Sequence, residues 1–228
     1  KSLVSLPKPF VIEFSGTPRT GKTTTINNLY DFFKKGGFDV LLIEEFTTSK
    51  IYKEKLKNEF DQMNLSDRHI AILEAVYKQL QNAISSGKDI ILIDRSINDR
   101  QMWNYRRFIR GEMSEEQYYD ARDQFSAISK ELIDFLVITY AEPIISLKRD
   151  YLSSLALEPR RFLNVDNIEE YNNSLNALQE LFSKSVDCMM FFDTSNMSMN
   201  DLSIAVTSQM LPVMRKKYIK SFQQKHNL

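Results

Sequence analysis

The chain lacks the residues that would open several easy explanations. Its 228 residues hold one cysteine, Cys188. No intrachain disulfide can form, and a reducing, cytoplasmic setting is the simple expectation. Histidine is almost as scarce: His69 is the sole one in the body of the chain, and with no Cys or Asp partner at ligand spacing it reads as a non-metal residue. No apolar run approaches the ~20 residues needed to cross a bilayer. Pro7 and Pro9 break the apolar start, which runs straight into a core-like segment, so residues 1–14 read as a short arm and not a signal peptide. Nor is there charge of one sign: thirty Lys and Arg balance thirty Asp and Glu, which argues against a broad nucleic-acid-binding surface. No repeat, low-complexity tract or composition shift marks a boundary. One domain over residues 1–228 is expected, with 43% apolar residues to supply its core.

What is present alternates between strand and helix signals. Residues 10–15, 40–43, 90–93, 135–140 and 189–192 are short apolar runs suited to buried strands. Between them, residues 21–35 carry Ile26, Leu29, Tyr30 and Phe33 at helical spacing, closed by Gly36 and Gly37. Ser66 is expected to cap a helix to about Ser85, and Ser114 with Gln117 forms a capping box for one to about Leu132. Pro143 suits a first helical turn. Asp166 is expected to cap a helix through Phe182, and the basic stretch 215–220 reads as a helix end with a solvated face. Strands separated by helices imply an α/β fold: a doubly wound, five-stranded parallel sheet flanked by helices.

Between the first strand and the first helix lies Gly16-Thr17-Pro18-Arg19-Thr20-Gly21-Lys22-Thr23, followed by Thr24. Its spacing is G-x-x-x-x-G-K-[ST], in the strand–loop–helix setting that makes the motif specific. Glycines let successive amides turn inward to phosphate oxygens, the helix adds its positive N-terminus, Lys22 reaches the outer phosphates, and the Thr23 hydroxyl can ligate Mg²⁺. A nucleoside triphosphate is the ligand this implies. Asp94, at the end of the third strand and followed by Arg95 and Ser96, sits where parallel sheets present ligands. It either helps to hold the metal or caps the next helix.

The segment PFVIEFSGTPRTGKTTTINNLYDFFKKGGFDV resembles the opening of thymidylate kinases, and residues 94–182 resemble deoxynucleoside kinases of the same superfamily through Asp94-Arg95-Ser96 and Ile97-Asn98-Asp99-Arg100. The resemblance implies ATP- and Mg²⁺-dependent phosphoryl transfer. It gives Arg95 to phosphoryl oxygens, and Arg160 and Arg161 to a lid near residues 156–165. Glu45 aligns with the family's glutamate after the second strand, here without its usual proline, and would be the general base of a hydroxyl acceptor. Glu44 stands where thymidylate kinases carry an arginine. Asp99 matches a base-reading aspartate, or is a helix-surface charge. Trp103 stacks on a base, or is core. Arg100, Arg106, Arg107 and Arg110 hold an acceptor phosphate, or are solvated.

The expected partner is therefore a small-molecule acceptor, a nucleoside or nucleoside monophosphate. Neither nucleic acid nor membrane is expected, and a homodimer is allowed. A P-loop kinase of a non-nucleoside compound and a nucleotide-binding regulatory ATPase are the alternatives. A GTPase switch would need N/T-K-x-D, which is absent, and an AAA-type motor a further helical domain, for which the C-terminal region is too short.

Overall fold

The computed structural model describes residues 8–46, 57–63, 65–154 and 164–226. Five strands form one sheet: β1 (Phe10–Gly16), β2 (Val40–Ile43), β3 (Ile90–Asp94), β4 (Phe135–Tyr140) and β5 (Met189–Asp193). Their order is β2-β3-β1-β4-β5, and every pairing is parallel. The helices are α1 (Lys22–Lys35), α2 (Lys57–Gln62), α3 (Leu65–Ile84), α4 (Ile97–Ile109), α5 (Glu115–Leu132), α6 (Pro143–Ser154), α7 (Val165–Ser185) and α8 (Met199–His226).

The two-residue period of a strand divides the core into two layers. Phe10, Ile12 and Phe14 of β1, with Ile90, Leu92, Phe135 and Val137, pack under α1 and α8 through Leu29, Phe33, Leu202 and Val206. Val11 points the other way, joining Ile91, Ile93, Leu136 and Ile138 against α3, α4, α5 and α7. Strands covered on both faces explain why the sequence shows near-continuous apolar runs in place of alternation. The chain leaves β1 toward one edge of the sheet and leaves β3 toward the other. The order thus reverses between β1 and β3, which opens a crevice at their carboxyl ends.

Three local expectations need correction. Asn164, not Asp166, caps α7: its side chain accepts from the Asn167 amide at 2.8 Å. A cap must sit just outside the helix, and Asp166 lies within the first turn. Ser66 likewise lies inside α3, which already begins at Leu65. The basic stretch is not a free face throughout, because Lys217 donates to the Pro9 carbonyl at 3.1 Å and to Asp134, tying α8 across the start of β1. The capping box of α5 forms as its sequence requires, with Ser114 and Gln117 bonded reciprocally.

Candidate active site

At the crevice, residues 16–23 wrap from β1 into α1, and two backbone features make the wrap possible. Gly16 has φ 124°, and a Cβ there would fall 1.9 Å from the Thr139 carbonyl oxygen of β4. Only glycine allows that approach. Arg19, with φ 62°, takes the left-handed conformation without being glycine. Its guanidinium turns to Asp150 of α6 at 2.5 Å. Thr17 and Thr20 are fully buried behind the loop, with Thr20 Oγ1 bonded to the Thr17 carbonyl at 2.9 Å and to Thr139 Oγ1 at 2.6 Å. Pro18, Arg19, Gly21, Lys22, Thr23 and Thr24 line a cleft of about 470 Å³, within the usual range for small-ligand sites.

Lys22 does not reach into open solvent, as a simple view of the motif suggests. It is 6% exposed and donates to the carbonyls of Gly16 at 3.0 Å and Thr17 at 2.6 Å. Burial first, then the charge of Arg95, lowers its pKa from 10.5 to about 7, against the opposing pull of Asp94, Asp99 and Glu45.

Across the cleft, Thr23 Oγ1 donates to Asp94 Oδ2 at 2.7 Å. A hydroxyl and a carboxylate side by side at the rim are hard oxygen donors of the kind Mg²⁺ takes, with cleft volume left for water and phosphate oxygens. Arg95 follows at φ 61°, a second strained non-glycine residue. The strain aims its guanidinium into a cluster. Nη1 donates to Asp99 Oδ1 at 2.7 Å and to the Tyr171 hydroxyl at 2.6 Å, and Nε lies 3.5 Å from Glu45 Oε2. Tyr171 in turn donates to Asp99 at 2.8 Å, and Ser15 to the same oxygen at 3.1 Å. Burial would raise the pKa of Asp99, but Arg95 and then Arg100 draw it below its ordinary value, so it stays a carboxylate. Burial pushes the Tyr171 hydroxyl well above its own.

The cleft thus brings together Lys22, Thr23, Asp94, Arg95 and Glu45, the last from the end of β2. Asp99 is 1% exposed and lies behind Arg95, so it orients that cation from beneath. Trp103 stands edge-on to Tyr171, with the Arg106 guanidinium 4.7 Å from its ring centroid. Arg100 is half-buried. The other arginines in and just after α4 are committed elsewhere: Arg106 and Arg110 both pair with Glu170 of α7, and Arg107 turns toward Glu112. Arg160, Arg161 and most of the expected lid lie outside the described residues.

Several site features had no motif to announce them. Glu13, in the middle of β1, is fully buried and accepts from the amides of Ser96 and Asn98, each at 2.9 Å, and from the Asn98 side chain at 2.9 Å. It caps α4 from a neighbouring strand, and burial raises its pKa to about 7. Its one signal is a lone charge inside an apolar run. Arg149 of α6 lines the cleft with its guanidinium held by the Thr194 carbonyl at 2.6 Å and the Thr194 hydroxyl at 3.1 Å. Met199, at the start of α8, closes the same wall beside Gly21.

A family model for an AAA domain matches residues 11–144, more than half of the chain. The chain belongs to the AAA domain family. An AAA-type motor would need a further helical domain, whereas this match rests on the part that carries the P-loop. No curated protein matches. Among solved structures, deoxyadenosine kinase from M. mycoides with the products dCMP and a flexible dCDP bound superposes with a TM-score of 0.60 at 13% identity, over 89% of this chain and 100% of that one. The same enzyme with bound dATP gives 0.59 at 16% identity, with the same coverage. At these identities the likeness is one of fold: this AAA-family chain has the architecture of a deoxynucleoside kinase. Among the described residues, no helix is long and apolar enough to cross a membrane.

Proposed function

We propose that the protein transfers the terminal phosphoryl group of ATP, with Mg²⁺, to a nucleoside or nucleoside monophosphate. The observation that carries this reading is a single cleft lined by Lys22, Thr23, Asp94, Arg95 and Glu45. Phosphoryl transfer needs little covalent help from a protein, but it does need positioning and a counter to charge on the moving group. Lys22 exchanges its loop carbonyls for phosphate oxygens, and Arg95, held from below by Asp99 and Tyr171, meets the transferred group. Bound at Thr23 and Asp94, Mg²⁺ supplies further neutralisation of phosphate charge. Glu45 takes the proton of a hydroxyl acceptor as attack proceeds. Trp103 walls the acceptor side, and Arg149 the donor side. A cytoplasmic setting suits the single cysteine.

Membership of the AAA domain family favours a second reading, a regulatory ATPase with water as acceptor. One experiment separates the two: incubate the protein with ATP-Mg²⁺ and a panel of nucleosides, nucleoside monophosphates and non-nucleoside hydroxyl compounds, and follow ADP release. The proposal expects release that depends on one of these acceptors. Release that no acceptor stimulates transfers the assignment to the ATPase. Stimulation only by a non-nucleoside hydroxyl compound keeps the kinase and removes the nucleoside.

A further inference from the structure

We propose that Asn172 of α7 is a positioning residue for the phosphate cradle, acting through Thr17. Its side-chain nitrogen donates to the Ala141 carbonyl at 2.9 Å. A carbonyl only accepts, so this contact commits the nitrogen and leaves Asn172 Oδ1 to face the loop. Thr17 Oγ1 donates to that oxygen at 2.6 Å. Thr17 is itself the knot of the loop. Its amide donates to the Thr139 carbonyl at 2.9 Å, and its carbonyl receives Lys22 at 2.6 Å and Thr20 at 2.9 Å. It comes directly after Gly16, a residue with no side chain to anchor the turn it permits. The hold on Thr17 therefore sets where the loop begins to bend and where Lys22 rests. Removing Asn172 would leave a fully buried hydroxyl without its acceptor.

The neighbour of Asn172 extends the consequence. Tyr171 bonds both Asp99 and Arg95, so consecutive residues of one helix touch the cradle and the cation opposite it. α7 thereby sets the spacing between the two sides of the cleft. This role rests on the reading of the loop as a triphosphate site.

The test uses the full chain and two readouts: affinity for a fluorescent ATP analogue with Mg²⁺, and the Tm of ligand-free protein. Asn172→Ala and Thr17→Val are each expected to weaken analogue binding about tenfold, while Thr17→Ser, which keeps the hydroxyl, binds within about twofold of wild type. The double variant Asn172→Ala/Thr17→Val should bind no worse than either single one, because both remove the same contact. A lowered Tm with unchanged affinity would make Asn172 merely structural and overturn the proposal. Losses that multiply in the double variant would overturn it too. Should Asn172→Ala fail to fold, the contrast of Thr17→Val with Thr17→Ser decides alone. Failure of the wild type to bind the analogue would instead remove the triphosphate reading, and this role with it.

Discussion

On the side of the cleft proposed to take the donor, eight consecutive residues, 16–23, form the cradle with their own backbone. On the side proposed to take the acceptor, Glu45 comes from the end of β2, Arg95 from the end of β3, Asp99 from α4 and Tyr171 from α7. The first is a local structure whose geometry follows from glycines at set places. The second is a network of side chains in which each charge is held by another, and it exists only once four elements have packed. The cradle's turn is local, and the rest of the protein reaches it through a few contacts, such as those of Thr139 and Asn172 with Thr17. A network assembled from afar is sensitive to whatever positions its members, which is why Glu13, fully buried and one layer beneath, belongs to the acceptor side although it lies three residues before Gly16.

That contrast can be broken at several places. The largest effect is expected at Lys22. Lys22→Met should lower turnover by about 10²–10³, as for other preorganised charge-stabilising groups, and by the same factor for every acceptor. A loss that differs strongly between acceptors, measured as ADP release, would show that the two sides are not separable. Next comes Glu45→Gln, which keeps shape and hydrogen bonding but removes the proton acceptor. Turnover with a hydroxyl acceptor should fall by about 10² while affinity for ATP-Mg²⁺ stays unchanged. Full turnover, or use of monophosphates alone, would take the base role from Glu45.

A smaller effect tests the layer beneath the acceptor side. The folded pKa of Glu13 is about 7, above the ordinary 4.5, so the folded chain holds a proton that the unfolded chain has lost between those values. Its contribution to stability is therefore complete below pH 4.5 and is lost as the pH rises through 7. Urea denaturation of Glu13→Gln at pH 5 and pH 8 should show a pH-dependent loss smaller than that of wild type by about 2 kcal/mol. Parallel curves for the two proteins would remove Glu13 from this account.

The finest test reads protons on the donor side alone. Free Lys22, with a pKa of about 7, is mostly neutral at pH 8.5, and bound phosphate raises that pKa toward or beyond its ordinary 10.5. Calorimetry in buffers of different ionisation enthalpy should detect uptake of up to about one proton per ATP at pH 8.5 and close to none at pH 5.5. Lys22→Met should remove the difference. Uptake that persists in the variant would place the titrating group elsewhere.

What could be read along the chain matches this division. All five strands and the P-loop were visible because their signals are local: apolar runs of strand length, and a motif whose spacing encodes a backbone turn. The capping box at Ser114 was visible for the same reason, since both partners lie within four residues. The cap expected at Asp166 falls instead at Asn164, because two residues able to cap stand two apart there and only packing chooses between them. Asp94 stands out by its place at the end of a strand, and Arg95 and Glu45 through family resemblance, but the bonds among them do not. The α4 arginines show the limit most plainly. Their clustering leaves a phosphate site and a solvated face both open, and Glu170, sixty or more residues away in sequence, pairs with two of them.

Neighbouring residues suffice to specify the parallel α/β sheet and the turn of the P-loop, because strand burial and a glycine-framed loop depend on residues within a few positions of one another. Long-range packing supplied the rest. It turned Lys22 onto the Thr17 carbonyl, set Asp99 and Tyr171 beneath Arg95, and brought Asn172 to Thr17 and Glu13 to the end of α4. Those contacts join residues far apart in the chain, and the partner of a buried charge is whichever group the packed helices bring within reach.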